Sequence, residues 1–172
     1  MNPRFPNARH PLSRRLRLQA AALVLIAVAA LAPGRALAVE VERVVSPGGI
    51  AAWLVQDHSN PIITLRFAFR GGAALDPAGK EGLANLVSGL LDEGAGKLDS
   101  KAFQRVLEDK AIRLGFDASK DSFGGRLEAL TRNRDEAFGL LKIALTQPRF
   151  DAEPVSRIRA QILVGIKQDA ED

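Results

Sequence analysis

The chain has 172 residues, a formal net charge of +4 and no cysteine. The lack of cysteine excludes disulfide bonds, thiolate metal sites and lipid attachment at a processed cysteine. A positive net charge raises the question of nucleic-acid or membrane partners, and the position of the charges along the chain answers it.

The basic charge is concentrated in residues 1–38, which carry six arginines and no acidic residue. Three of these arginines precede an apolar run over residues 18–32, and Pro33-Gly34 and a small-x-small triplet ending at Ala38 follow it. This order is typical of a secretory signal peptide, and the run is shorter than the roughly 20 residues of a spanning helix. We therefore predict cleavage after Ala38 and a periplasmic or secreted product.

Two alternatives remain for this leader. Consecutive Arg14 and Arg15 leave open the twin-arginine export route, although Arg17 stands where that motif prefers an apolar residue, so the Sec route is expected. The structural alternative is a buried apolar helix. Without the leader, the net charge of +4 falls by six to −2, so nothing electrostatic favours nucleic acid. Residues 39–172 have the length of one ordinary domain.

Three predicted strands begin this domain. Residues 41–45 and 50–56 flank a Ser-Pro-Gly-Gly sequence, which is typical of a turn between strands. In residues 62–69, apolar and polar side chains alternate, as in a strand with one buried face. His58 lies in the polar stretch between these strands, and we expect an exposed loop histidine there.

Two predicted helices follow a Gly-Gly loop. Apolar residues recur at helical spacing over residues 83–91, which predicts a helix that ends at Gly94. Asp99 or Ser100 is expected to cap the second helix. The apolar side of the second helix consists of Ala102, Phe103, Val106 and Leu107.

The second half of the domain repeats this order of strands and helices. We predict strands over residues 113–119 and 122–131, with Gly124-Gly125 marking a bulge or a close backbone approach. Asn133 followed by Glu136 predicts a capping box at the start of the third helix, which Pro148 ends. The fourth helix is predicted to begin near Pro154 and to be still running at Asp172.

Apolar stripes define the buried sides of these last two helices. The third helix carries Ala137, Leu140, Leu141, Ala144 and Leu145, and the fourth carries Val155, Ile158, Ile162, Leu163 and Ile166. Strands followed by helices, twice over, predict an α+β fold in which helices cover one face of a mostly antiparallel sheet.

Several local sequences resemble the N-terminal domain of the pitrilysin/insulinase (M16) peptidase family. Residues 62–75 are similar to its strand followed by Gly-Gly, and residues 79–84 to the approach to its inverted zinc motif. Residues 114–118, 135–145 and 148–151 are similar to a later strand, helix and loop. The resemblance extends over almost all of the predicted domain and implies the M16 or LuxS-like metallohydrolase fold.

Peptide-cleaving members of that family carry His-x-x-Glu-His on the first helix. Residues at this spacing share a helical face, so two imidazoles can hold zinc beside a carboxylate that activates water. The resemblance aligns Asn85 and Gly89 with the two histidines and Ser88 with the general base. Gly165 lies near the position of the third ligand, a glutamate on a later helix. The resemblance therefore implies neither catalytic nor metal-binding residues in this chain.

The composition alone, without any alignment, also argues against a zinc site in this chain. Outside the leader, His58 is the only histidine, so a zinc site based on histidine would need carboxylates for almost every other ligand. The sequence also contains no Gly-x-Ser-x-Gly nucleophile turn. We expect the polar stripe of Asn85, Ser88 and Asp92 to face solvent or an interface. A peptidase with a relocated metal site is the remaining enzymatic alternative.

The resemblance implies an exported protein that is inactive alone and acts with a zinc-bearing M16 peptidase in peptide degradation or processing. No cofactor is then expected in this chain, and zinc is expected in its heterodimeric partner, with a peptide as the substrate. The chain has about half the length of a usual subunit. Because its last helix has no evident stop signal before Asp172, we expect the domain to be incomplete at its C-terminal end. The alternative is a stand-alone domain that binds extended peptides by strand addition.

Overall fold

The computed structural model describes residues 40–171 and Gln19; the predicted cleavage site at Ala38 and most of the predicted signal peptide lie outside them. The elements, in chain order, are β1 (Val41–Val45), β2 (Ala51–Val55), β3 (Ile62–Arg70), α1 (Leu83–Ser88), α2 (Ser100–Asp109), β4 (Arg113–Ala118), β5 (Ser122–Leu130), α3 (Arg134–Thr146) and α4 (Ala152–Asp169). This order confirms the predicted α+β class. None of the helices in the described part is long and apolar enough to cross a membrane.

The chain divides into two compact units between Gln56 and Asp57. The first unit contains β1 and β2, which pair antiparallel with Val41 opposite Val55. The Ile50 amide donates a hydrogen bond of 3.0 Å to the Ser46 hydroxyl and so fixes the turn. The two predicted strands are therefore confirmed as a hairpin.

The second unit is built on a three-stranded antiparallel sheet in the order β3-β5-β4. Gly125 of the central strand lies opposite Phe67 on one side and Phe116 on the other. The two rings are 6.3 Å apart between centroids, and a Cβ atom on Gly125 would lie 2.7 Å from the Phe67 ring. The close approach predicted at Gly124-Gly125 is confirmed.

Helices α2 and α3 of the second unit pack on one face of this sheet, as predicted. Because side chains alternate along a strand, Ile63, Leu65 and Phe67 pack against the core, whereas Arg66 on the other face is exposed. The buried core consists of Ala95, Phe103, Leu107, Ile112, Leu114, Leu127, Ala129, Ala137, Leu140, Leu141 and Ala144.

Helix α1 is shorter than the sequence predicts. It ends at Ser88, with Gly89 as its C-cap, and the chain continues through turns to Gly94. Leu90 and Leu91 are nevertheless buried, at 3% and 6% exposure. The prediction of a helix through residue 91 was wrong because these leucines are buried by a turn that happens to keep the helical spacing.

The two predicted helix caps have different outcomes. The Asp99 carboxylate accepts a hydrogen bond of 2.9 Å from the Ala102 amide, which confirms the cap of α2. Asn133 makes no side-chain cap at α3, because its amide group donates to the Lys110 carbonyl at 2.7 Å. Glu136 pairs with the Lys110 ammonium group at 2.9 Å. The predicted capping box is therefore wrong, and both side chains tie α3 to the end of α2.

The last two helices differ in how well their apolar stripes are covered. In α3, all of the predicted buried residues are buried except Leu145, which is 36% exposed. Helix α4 begins at Ala152, slightly earlier than predicted, and ends at Asp169 rather than running to Asp172. Its residues Leu163, Val164 and Ile166 are 45%, 55% and 59% exposed, so the C-terminal half of α4 is not part of the core.

Candidate functional site

Helix α1, which carries the degenerate motif positions, is held at its start by Asp76. The two carboxylate oxygens of Asp76 accept hydrogen bonds from the Gly82 and Ala84 amides at 2.8 and 2.9 Å. Gly82 has a φ of 90°, a left-handed conformation that favours glycine. Asp76 is not among the residues predicted from the sequence, although an Asp-Pro dipeptide ahead of an apolar helix is a turn signal that could have identified it.

The two polar motif positions on α1 have different surroundings. Asn85 is exposed, whereas Ser88 is only 5% exposed. The Ser88 hydroxyl donates a hydrogen bond of 2.8 Å to the Asn85 carbonyl. The predicted polar stripe is therefore wrong for Ser88, and Asp92 lies beyond the end of the helix. A hydroxyl that is buried and bonded to the backbone has no access to a reacting water molecule.

Gly89 is in contact with helix α4. A Cβ atom built at position 89 would lie 2.9 Å from Cγ2 of Ile158, which is closer than such atoms approach. Ile158 is partly buried and lies in the first half of α4. In this arrangement no imidazole fits at position 89, because the side chain of Ile158 fills the space that it would need.

Gly165 lies further along α4, where no atom comes within 4 Å of the place of a Cβ atom. No neighbouring helix therefore packs closely against Gly165. Near it, α1 and α4 border a cleft of roughly 380 Å³, which we call the α1–α4 cleft. Its apolar lining consists of Leu83, Leu86, Ile162, Leu163 and Ile166.

A group of polar side chains ties the turn after α1 to α2 and α4. Oε2 of Glu93 accepts a hydrogen bond of 2.6 Å from the Ser100 hydroxyl and one of 2.5 Å from Nη2 of Arg157. Burial raises the pKa of the neighbouring Asp92 to about 6, and the Glu93 carboxylate adds to the shift. The contacts of Glu93 thus hold the turn against α2 and α4, and burial leaves Asp92 costly to ionise.

The side chains at the motif positions do not fit a zinc ion. Zinc takes imidazole, thiolate or carboxylate ligands, and the amide of Asn85, the hydroxyl of Ser88 and two glycines supply none of these. In the part of the chain that the structure describes, no group of three or more histidine, cysteine, aspartate and glutamate side chains could hold a metal ion. His58 is exposed and lies outside the helices and strands, as predicted.

Comparison with known proteins gives one relative and two solved structures of interest. The non-peptidase homolog YmxG of Helicobacter pylori (strain ATCC 700392 / 26695) is 34% identical over 117 residues, which are 68% of this chain and 27% of that protein. The peptidase M16 inactive domain from Pseudomonas fluorescens superposes with a TM-score of 0.70 at 26% identity, over 77% of this chain and 32% of that one. No family model matches the sequence.

A protease from Helicobacter pylori superposes with a TM-score of 0.60 at 15% identity, over 72% of this chain and 30% of that one, which shows a likeness of fold. The chain thus spans less than a third of the length of each of these proteins.

Fold and motif region together define an α+β domain of peptidase architecture whose motif positions cannot bind zinc. The likeness to an inactive M16 domain and to a non-peptidase homolog identifies this architecture as that of the M16 family. The chain is a degenerate M16 domain, as its sequence predicts.

Proposed function

We propose that this domain is exported and acts as the non-catalytic partner of a zinc-bearing M16 peptidase. The observation that carries the proposal is the α1–α4 cleft, an apolar surface directly beside the degenerate motif positions. Leu83, Leu163 and Ile166 line it and are 39%, 45% and 59% exposed. Clustered exposed apolar side chains of this kind mark surfaces that bind other proteins.

The chemistry of the motif region also supports a non-catalytic role for this chain beside a zinc-bearing partner. With Ile158 against Gly89 and the Ser88 hydroxyl bonded to the backbone, the motif positions contribute no group that could activate water. Zinc and the general base then belong to the partner, and the pair degrades or processes peptides. The inactive M16 domain among the structural neighbours supports a non-catalytic role.

Reconstitution with the His-x-x-Glu-His homologue of the same organism tests the partnership. We expect this chain alone to cleave no peptide and to raise the cleavage rate when mixed with that homologue. Leu163→Asp should abolish the increase, because it places a charge in the α1–α4 cleft. Val164→Asp is the matched control, since Val164 is exposed on the same helix and does not line the cleft.

Three outcomes would contradict the partnership. One is stoichiometric zinc with peptidase activity in the isolated chain. Another is a mixture that shows only the homologue's own rate. The third is an equal loss of enhancement in both variants, which would show that α4, rather than its cleft, matters.

Export is tested separately by fractionation of cells that express the full-length chain. We expect the protein in the periplasm or the medium with Val39 as its first residue. Retention in the cytoplasm with Met1 intact would disprove export without affecting the partnership assay.

A second candidate function is strand addition at β3. Within its sheet, β3 is an edge strand of nine residues and pairs with β5 alone. An extended peptide could continue the sheet there through main-chain hydrogen bonds. Peptide binding that is lost when alternate peptide amides are N-methylated would support this role, and binding that survives N-methylation would exclude it.

A further inference from the structure

Two arginines lie opposite each other on the face of the second unit's sheet that points away from the core, which we call the open sheet face. Arg66 of β3 lies directly opposite Arg126 of β5, and both side chains are exposed. Residues paired in this way have Cβ atoms about 5 Å apart, and like charges at that distance destabilise a sheet. The pair therefore lowers the stability of the isolated domain.

Neighbouring charges do not neutralise this pair. Arg113 and Glu128, on the same face, pair with each other at 2.8 Å. Within residues 40–171, none of the other three arginines on this face takes part in an ion pair; they are Arg66, Arg70 and Arg126. Besides Glu128, Asp117 is the one acid on the open face of these strands. The face thus carries four arginines and two acids, a net of two positive charges.

The surface around Arg126 is flat enough for a polypeptide to lie on it. Its neighbour across the pairing with β4 is Gly115, where a Cβ atom would meet nothing within 4 Å. In the next row across the sheet, Ala68 and Gly124 have little or no side chain, and Asp117 stands at the β4 end of the row. An extended chain could therefore approach the guanidinium groups without displacing other side chains.

An apolar cleft adjoins Arg126. It has a volume of roughly 690 Å³, and Arg113, Arg126 and Glu128 of the open sheet face are part of its lining. Leu107, Ile112, Leu114 and Leu130 supply its apolar surface. Arg113 and Arg126 thus stand, together with Glu108 and Glu128, around a site that accepts an apolar side chain.

We propose that the open sheet face binds an extended acidic peptide, whose carboxylates bridge Arg66 and Arg126 while an apolar side chain enters the adjoining cleft. A carboxylate between two guanidinium groups would accept charge-assisted hydrogen bonds and remove their repulsion. An anionic membrane fits less well, because Glu128 and Asp117 on the same face would be brought against it. This proposal goes beyond the partnership with a peptidase and does not depend on it.

Fluorescence anisotropy of the purified 172-residue chain with a labelled peptide of alternating glutamate and leucine tests the proposal. Arg66→Glu should weaken binding by about tenfold or more, as expected for the loss of charge-assisted hydrogen bonds. The same variant should have a higher melting temperature, because Glu at position 66 would attract Arg126. Weaker binding by a more stable protein cannot be attributed to misfolding.

Lys142→Glu is the matched control, since Lys142 is an exposed cation on α3 that lines neither cleft, and its reversal should change affinity less than about twofold. Three results would overturn the proposal. The first is equal affinity for a peptide with glutamine in place of glutamate, and the second is unchanged affinity of the Arg66→Glu protein. The third is binding to phosphatidylglycerol vesicles without binding of the peptide, which would assign the face to a membrane.

Discussion

At the scale of single residues, the contact between Gly89 and Ile158 makes a direct prediction. Gly89→Ala places a Cβ atom 2.9 Å from Cγ2 of Ile158, although the backbone of Gly89, with a φ of −76°, would accept alanine. We expect a loss of about 1–2 kcal/mol in the free energy of unfolding, measured by urea denaturation, because the added methyl overpacks the contact between α1 and α4.

Gly139→Ala serves as the control, because Gly139 is exposed within α3 and nothing lies within 4 Å of its Cβ position. That change should be neutral or stabilise the protein by up to about 1 kcal/mol, as alanine does in helices. In an Ile158→Ala background, Gly89→Ala should cost much less. If its cost is unchanged there, Ile158 is not what excludes a side chain at position 89.

Asp92 is the residue whose ionisation should show in the stability of the fold. Burial raises its pKa from 3.8 to about 6, so its neutral form is favoured in the folded state. Its contribution to stability is therefore complete below 3.8 and is lost as the pH rises through about 6. We expect Asp92→Asn to stabilise the protein relative to wild type by about 1–3 kcal/mol more at neutral pH than in acid.

Thermal unfolding followed by circular dichroism across this pH range measures the effect. The control is Asp109→Asn, since Asp109 is exposed at the end of α2 and makes no side-chain hydrogen bond or ion pair in the described structure. A difference between wild type and Asp92→Asn that does not change with pH would contradict the assignment.

At the scale of elements, the sheet depends on the row formed by Phe67, Gly125 and Phe116. Gly125→Ala would place a Cβ atom 2.7 Å from the Phe67 ring and 3.0 Å from that of Phe116. We expect it to lower the free energy of unfolding by about 1–3 kcal/mol, because two rings in contact with the core would have to move.

Gly115→Ala tests the same chemistry on the opposite face of the sheet. Its Cβ atom would meet nothing within 4 Å, so this substitution should be neutral or slightly stabilising in the same urea titration. Equal losses in the two variants would mean that strand propensity, rather than ring packing, determines the cost.

The elements also show where sequence patterns are informative and where they are not. The alternation in β3 and the stripe in α3 predicted their buried faces, because one side of each packs against a continuous core. The same reasoning extended α1 too far, since Leu90 and Leu91 are buried by a turn. The sequence around Asn133 fits a capping box. In the structure, however, the Asn133 side chain donates a hydrogen bond to the Lys110 carbonyl instead, because tertiary packing brings the two residues together.

At the scale of the whole molecule, the missing zinc motif could be predicted from the sequence, because a lack of imidazoles does not depend on packing. The space-filling role of Ile158 could not, since it joins residues 69 positions apart along the chain. The same holds for Arg66 opposite Arg126, which depends on the register of β3 against β5. The identity of a residue can be read from the sequence, whereas the register of two strands depends on how the whole sheet assembles.

The two units lead to a last prediction about how the molecule unfolds. All members of the core cluster, from Ile63 to Ala144, lie in the second unit. A chain that begins at Asp57 should therefore keep a single cooperative transition, with a melting temperature within about 3 °C of the longer protein. Circular dichroism is the suitable probe, because the single tryptophan, Trp53, lies in the hairpin and is 73% exposed.

A chain that begins at Gly71 provides the contrast. It lacks β3, and with it Ile63, Leu65 and Phe67, which pack against the buried core. Removing three such side chains costs several kcal/mol, comparable to the whole stability of a small domain, so this chain should not fold. If the chain from Asp57 also fails to fold, residues 40–56 contribute to the stability of the second unit, and its core is not sufficient by itself.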